Sequence, residues 1–160
     1  MKRREEPHER EALAALAVLY AELGERLAGS TCPASTECCR FGVTGREPYV
    51  TSVELAYLER GIARSGGKTP QATGKGARPL PVVTVKDERI CPLLRADNRC
   101  AAYDFRPFGC RTFFCERAES PRPLGQQEIN AFVRRVKDIA ARHRPGGDQG
   151  RPLTRALPTG

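Results

Sequence analysis

The chain has 160 residues, a length typical of a single domain, so we do not expect a second independent core. With 39% hydrophobic residues, no Trp, 15 glycines and 13 prolines, it predicts a small core with many loops. No run of apolar residues approaches the ~18 that cross a bilayer, so the sequence favours no membrane partner. Two features stand out: a formal net charge of +8 and seven cysteines.

The first residues of the chain decide how the cysteines are interpreted. Lys2, Arg3 and Arg4 resemble the basic start of a secretory signal, but four glutamates follow before the apolar stretch over residues 12–21. We therefore predict a cytoplasmic protein. Because the cytosol is reducing and disfavours structural disulfides, metal binding or redox chemistry is the better explanation of the cysteines.

An apolar stripe at the start of the chain predicts an amphipathic helix within residues 1–28, ended by Gly29. We expect the stripe to cover the domain's own core, with dimerisation as the alternative, since two heptads are short for an independent coiled coil. The stripe consists of Leu13, Leu16, Tyr20, Leu23 and Leu27.

Two more helices are indicated farther along the chain. The segment Thr51–Glu54 has the S/T-x-x-E pattern of a capping box, which predicts a short helix over residues 52–63. Apolar residues recur at helical spacing from Ile129 to Ala140, which predicts an amphipathic helix between Gly125 and Pro145.

The remaining segments are predicted to be irregular. Residues 65–81 are rich in glycine and indicate an exposed loop, and residues 82–85 with Ile90 indicate a short β-hairpin. The predicted fold class is α+β, mostly helical and irregular. Its parts are the N-terminal helix within residues 1–28, a cysteine-cluster domain over 29–144 that includes the C-terminal helix, and a disordered tail over 145–160.

The positive charge is unevenly distributed. Most of the surplus lies in residues 60–89 and 142–160, which are predicted to be a loop and a tail. Such segments contact phosphates without specificity, but the sequence contains no helix-turn-helix pattern and no aromatic RNA-stacking motif. We therefore interpret the charge mainly as solvated loops, and nucleic acid as a weakly supported partner.

The cysteines form two groups, separated by 51 residues. Thiolates bind zinc tetrahedrally or anchor iron–sulfur clusters, and either site needs about four of them. The chain therefore holds enough for one four-thiolate site, or for two sites if another residue completes the second. The predicted ligands are Cys32, Cys38 and Cys39 in the first group, and Cys91, Cys100, Cys110 and Cys115 in the second.

The neighbours of the cysteines support a metal site. Arg106 and Arg111 flank Cys110, where their charge favours thiolate and their N–H groups are predicted to reach metal-bound sulfur; a surface ion pair is the alternative. Cys38 and Cys39 are adjacent, so they share one site only if the chain turns there, and otherwise serve two neighbouring sites.

The second group resembles the C-P-F-L…C-x-I-Y-x-x-R-P-x-x-C-R pattern of bacterial YkgJ-like cysteine-cluster proteins, described as zinc- or iron-chelating domains. The first group is similar to the family's C-x-x-C-x-x-C-C signature, except that Ser35 stands at its second cysteine. The resemblance covers residues 30–116 and implies metal chelation. The matching residues are Cys91-Pro92-Leu93-Leu94, Cys100, Tyr103, Arg106-Pro107, Cys110-Arg111, Phe113 and Cys38-Cys39-Arg40.

Three functions follow from these patterns. The first is a small metal-binding protein that coordinates zinc or an iron–sulfur cluster; the spacing does not distinguish the two, and we favour zinc as a structural ion. The second is a redox or methyl-transfer enzyme, since a flagellin lysine N-methylase resembles the family in its cysteine cluster. The third is a metal-stapled nucleic-acid adaptor. The sequence indicates no catalytic residue and no particular protein partner.

Overall fold

The computed structural model describes residues 5–30, 36–66, 89–113, 124–146 and 148–157. Within these residues it is mainly helical with one two-stranded antiparallel sheet, which confirms the predicted α+β class. The helices are α1 (Pro7–Arg26), α2 (Phe41–Thr44), α3 (Ser52–Arg64), α4 (Phe108–Arg111), α5 (Gln126–His143) and α6 (Leu153–Ala156). The strands are β1 (Tyr49–Val50) and β2 (Arg151–Pro152), and 3₁₀ helices span Glu37–Cys39 and Tyr103–Phe105.

The three long helices, α1, α3 and α5, pack against one another around the larger of two cores. The α1 stripe is buried in this core, as predicted, and Leu27 packs at its edge. Leu16 and Leu23 are fully buried, whereas Val18 on the opposite face is exposed. The stripe therefore covers the domain's own core.

Carboxylates cap both α3 and α5 at their first turns. The backbone N–H and the hydroxyl of Thr51 each donate to Glu54 Oε2 at 2.9 Å, which confirms the capping box predicted for α3. At α5, the N–H of Gly125 donates to Glu128 Oε2 at 3.0 Å. Both helices begin where the sequence predicted.

The second core lies between the cysteine-bearing loops and the end of the described chain. Strand β1 pairs with β2 in the register Tyr49–Pro152 and Val50–Arg151, and Leu153 is fully buried. The buried members of this core are Phe41, Val50, Leu58, Cys91, Leu93, Leu94, Ala102, Leu153 and Ala156.

For residues 151–157, this second core corrects the prediction of a disordered tail over residues 145–160. Residues 151–156 form β2 and α6, and the carboxylate of Asp148 accepts hydrogen bonds from the backbone N–H groups of Ser52 and Gly150. Ser52 and strand β1, the partners of Asp148 and β2, lie about a hundred residues earlier in the chain, so local composition did not indicate these contacts.

The predicted hairpin lies mostly outside the described residues, which resume at 89. Ile90 forms an isolated antiparallel bridge with Arg40, and the sheet that the structure contains is built from β1 and β2. None of the described helices combines the length and apolarity needed to cross a membrane.

Candidate metal centre

Five of the seven cysteines lie in the described part of the chain, on four different segments. Cys38 and Cys39 belong to the 3₁₀ helix Glu37–Cys39, and Cys110 belongs to α4. Cys91 follows the Arg40–Ile90 bridge, and Cys100 pairs with Leu94 in a second isolated bridge. Cys32 and Cys115 lie outside the described residues.

The chain turns at the adjacent pair Cys38 and Cys39. Thr36 has φ of 61°, a left-handed conformation, and the N–H of Cys39 donates to the carbonyl of Thr36 at 2.9 Å. This tight turn brings the two Sγ atoms to 3.9 Å from each other. Of the two arrangements that the sequence left open, the geometry therefore allows the one in which both sulfurs face the same site.

Backbone hydrogen bonds join the two cysteine groups. The N–H of Cys91 donates to the carbonyl of Cys39 at 2.8 Å, and the N–H of Phe41 donates to the carbonyl of Arg89 at 2.7 Å. These bonds hold Cys91, whose side chain is buried, beside Cys39. A segment from each group thus forms one wall of the centre.

Cys100 and Cys110 complete the cluster. Burial raises the pKa of the Cys110 thiol, and the nearby thiols of Cys100 and Cys39 raise it further. Burial also raises the pKa of Cys100, while at Cys38 the hydrogen bond to Cys39 and then burial raise the pKa. Because thiolates placed this close repel one another, the group stays protonated unless a cation compensates its charge.

The described residues do not contain three or more His, Cys, Asp or Glu side chains arranged to hold a metal ion as they stand. The Cys38–Cys39 pair has the spacing of two ligands, and the other three thiols surround it at longer range. A metal ion bound here therefore requires the surrounding thiols to move inward.

Arg106 lies close to the cluster. Its charge acts against the rise in pKa at Cys38, Cys100 and Cys110, so the guanidinium is near all three thiols. The side chain is held by its Nε, which donates to the carbonyl of Tyr103 at 2.9 Å, and by stacking 3.6 Å from the centre of the Tyr103 ring. This position is compatible with the predicted role beside metal-bound sulfur.

Arg111 has a different position from the one predicted. Its Nε donates to the carbonyl of Arg106 at 2.7 Å, its Nη2 donates to the carbonyl of Asp104 at 2.5 Å, and its guanidinium lies 4.3 Å from the centre of the Tyr20 ring. These carbonyls accept hydrogen bonds from Arg111, so its guanidinium is engaged by the backbone and by the Tyr20 ring. Arg111 thus stabilises the turn that carries Cys110.

Glu54 supports the same turn, a role that the sequence did not reveal. Its carboxylate is buried and accepts four hydrogen bonds, two from Thr51, one from the Tyr20 hydroxyl at 2.8 Å and one from the Phe108 N–H at 2.9 Å. Burial and the Glu54 carboxylate raise the pKa of Tyr20 well above its ordinary value, so the phenol remains a donor. Since Phe108 begins α4, Glu54 connects α1 and α3 to the helix that carries Cys110.

The histidines do not take part in the cluster. His8 is exposed, while His143 is half-buried, with its Nδ1 2.9 Å from the Ser52 hydroxyl. Burial lowers the pKa of His143, so its neutral form is favoured.

Comparisons of the chain with protein-family models, with curated proteins and with solved structures find no match.

Proposed function

We propose that the protein is a small cytoplasmic metal-binding protein that holds a zinc ion through cysteine thiolates. The observation that carries the proposal is the 3.9 Å distance between the Sγ atoms of Cys38 and Cys39. Two thiolates bound tetrahedrally to one zinc at about 2.3 Å stand about 3.8 Å apart, so this pair needs almost no adjustment to share an ion.

The other ligands come from the surrounding thiols. Cys91, Cys100 and Cys110 are the described candidates, and Cys32 and Cys115 remain candidates from the sequence. A divalent cation offsets the repulsion between neighbouring thiolates, and its binding would draw two of these residues toward the Cys38–Cys39 pair. Arg106, whose charge acts on Cys38, is the candidate to donate to a bound sulfur.

The short sulfur–sulfur distance favours zinc over a four-iron cluster. In such a cluster each cysteine binds a different iron, so neighbouring cysteine sulfurs stand farther apart than two ligands of one ion. The resemblance to zinc- or iron-chelating cysteine-cluster proteins supports metal binding but does not distinguish a zinc ion from an iron–sulfur cluster.

Elemental analysis and an absorption spectrum of anaerobically purified protein test the proposal. We expect colourless protein with about one zinc per chain. Brown protein with stoichiometric iron and a broad band near ~400 nm would replace zinc with a cluster. Seven freely titrating thiols without either metal would overturn the proposal altogether.

Single substitutions assign the ligands. Cys38→Ser and Cys39→Ser are each expected to weaken zinc retention against a chelator by about tenfold or more. Thr44→Ser on the neighbouring helix α2 removes no sulfur and should leave zinc retention unchanged. Unchanged zinc retention in both cysteine variants would contradict the assignment of the pair. Cys32→Ser and Cys115→Ser, measured in the same way, show whether either residue is a ligand.

A further inference from the structure

A deep groove opens directly beside the cysteine cluster. Its volume is about 1320 Å³, and Cys38 and Cys110 are among the residues that line it. Gly109 of α4 also lines it and packs so closely on Pro48 that a Cβ atom at Gly109 would stand 2.9 Å from the Pro48 Cβ. Further lining residues come from β2 and α6, in the segment that the sequence predicted to be disordered.

The described residues that line this groove carry far more positive than negative charge. Four arginines line it, and its one carboxylate is Glu47. That carboxylate is already occupied, because it accepts from the N–H of Thr154 at 2.8 Å and from the Thr154 hydroxyl at 2.5 Å and pairs with Arg89 at 3.5 Å. Three lining arginines therefore have no carboxylate partner among the described residues that line the groove: Arg46, Arg151 and Arg155.

These three guanidinium groups come from distant parts of the chain. Arg46 precedes β1 and lies 5.8 Å from the centre of the Phe113 ring, Arg151 lies in β2, and Arg155 lies in α6. The pairing of β1 with β2 brings them to one groove. Like charges collected in this way repel each other, and a bound anion relieves that repulsion.

We propose that this groove binds a phosphate-bearing small molecule, with the phosphate held by Arg46, Arg151 and Arg155. The planar guanidinium group donates two parallel hydrogen bonds to a phosphate, which a single ammonium group does not. The groove is larger than the roughly 300–1,000 Å³ typical of small-ligand sites, so it accommodates a ligand of nucleotide size.

The three arginines line a single groove in the part of the chain that the structure describes. This arrangement favours a compact ligand over a nucleic-acid strand, which would need charges that follow its backbone. The proposal does not depend on the metal centre, because arginines and not thiols hold the ligand. A ligand bound here nevertheless lies against Cys38 and Cys110.

Calorimetric titration of the full chain with adenosine 5′-monophosphate, with adenosine as the neutral ligand, tests the proposal. We expect the monophosphate to bind and adenosine not to bind. The triple variant Arg46→Gln/Arg151→Gln/Arg155→Gln should weaken binding by about tenfold or more. All three side chains are exposed, so this variant should keep the wild-type circular dichroism spectrum.

The matched control removes three positive charges from the exposed face of α5, the same number as the groove variant: Arg134→Gln/Lys137→Gln/Arg142→Gln. It should keep the affinity for the monophosphate. Equal weakening in the two triple variants, or no binding to the wild-type chain, would overturn the proposal. Equal binding of glutarate would assign the groove to carboxylates, and much tighter binding of a single-stranded oligonucleotide would assign it to nucleic acid; either result replaces the proposal.

Zinc content measured in the same variants separates this inference from the proposed function. We expect the groove variant to retain wild-type zinc while losing the monophosphate. If zinc is absent from every form but monophosphate binding still depends on the three arginines, the metal proposal fails and the groove proposal stands.

Discussion

At the scale of single residues, the Glu54 carboxylate connects α1 and α3 to the helix that carries Cys110. One carboxylate satisfies donors from its own helix cap, from Tyr20 and from Phe108. A buried carboxylate is tolerated only when its oxygens are hydrogen-bonded, and each Glu54 oxygen accepts two bonds. Loss of this residue should therefore affect both the fold and the position of Cys110.

Replacement of Glu54 by glutamine tests this connection. The side-chain amide presents N–H groups where two donors point, so we expect the Glu54→Gln variant to lose about 2 kcal/mol or more of unfolding free energy. Urea denaturation followed by circular dichroism measures the loss. Glu59→Gln on the exposed face of the same helix should change it by less than about 0.5 kcal/mol. Equal stability of the two variants would contradict the role of Glu54.

His143 gives the fold a dependence on pH. Burial lowers its pKa in the folded chain, so the unfolded chain binds a proton first as the pH falls. The free energy of unfolding therefore has its full value above about pH 6.5 and decreases as the pH falls below it. Charged groups that also act on His143 are Glu9, His8, Arg144 and Asp148.

We expect the His143→Gln variant to lose less stability than the wild-type chain between pH 7 and about pH 5. Denaturant midpoints at both pH values measure the difference. Burial, and not His8, is the largest cause of the lowered pKa of His143, so His8→Gln should retain most of the wild-type decrease. If all three chains lose the same stability, His143 is not the group responsible.

Single residues also show what the sequence could and could not reveal. The capping box predicted the bonds between Thr51 and Glu54, since these depend on neighbours three positions apart. The Tyr20 and Phe108 donors lie 34 and 54 positions from Glu54, and no local pattern signals such contacts. The bonds of Arg111 to the carbonyls of Arg106 and Asp104 were not predicted either, because its closeness to Cys110 in sequence had suggested a contact with sulfur.

At the scale of elements, the turn formed by the 3₁₀ helix Tyr103–Phe105 packs closely against α3 at Gly61. A Cβ atom at this position would stand 2.5 Å from the Cβ and Cγ atoms of Phe105. The turn lies between Cys100 and Cys110, so the absence of a side chain at Gly61 sets how closely that part of the cluster approaches α3.

We expect the Gly61→Ala variant to lose about 1–3 kcal/mol of unfolding free energy, because the methyl group forces Phe105 and its turn away. Zinc retention against a chelator should decrease with it. Gly24 in α1 has no atom within 4 Å of the corresponding position, so Gly24→Ala should be neutral or stabilising by up to about 1 kcal/mol. A Gly61→Ala variant as stable as Gly24→Ala would show that this packing is not tight.

Helices and strands could be predicted where the sequence pattern that specifies them is local. The three long helices follow from apolar periodicity and capping residues, and all three begin and end within a few residues of their predicted bounds. Strands β1 and β2 have two residues each, too few for an alternating pattern to register. Their pairing, and the burial of Leu153, depend on contacts across the whole chain.

At the scale of the whole molecule, the cysteine cluster shares residues with the second core. Cys91 is a buried member of that core, while Cys39 and Cys100 pack against it. Under the proposed function, loss of the metal leaves repelling or unpaired thiols within a core that buries little apolar surface. The cluster should therefore contribute to the stability of the entire domain.

We expect a chelator to lower the melting temperature by about 10 °C or more, since structural zinc sites contribute several kcal/mol to folding. Calorimetry before and after chelation, with zinc content measured in parallel, shows the effect. Added zinc should restore the original transition. A melting temperature that is unchanged after complete removal of zinc would separate the metal from the stability of the fold.

The charge of the chain also has a different meaning at this scale. The sequence assigned much of the +8 to a solvated loop and a tail. Two of the tail arginines, Arg151 and Arg155, instead line the groove beside Cys38 and Cys110. Composition could locate the surplus charge along the chain, but only the β1–β2 pairing places part of it beside the cysteines.

The pairing of β1 with β2 also has a consequence for biosynthesis. Strand β1 and the cysteine segments emerge from the ribosome well before residues 151–156, yet Leu153 and Ala156 complete the core that surrounds Cys91. During translation, the thiols of that region therefore remain uncovered until α6 is released from the exit tunnel. Under the proposed function, metal loading and oxidation would compete for the same sulfur atoms during this interval.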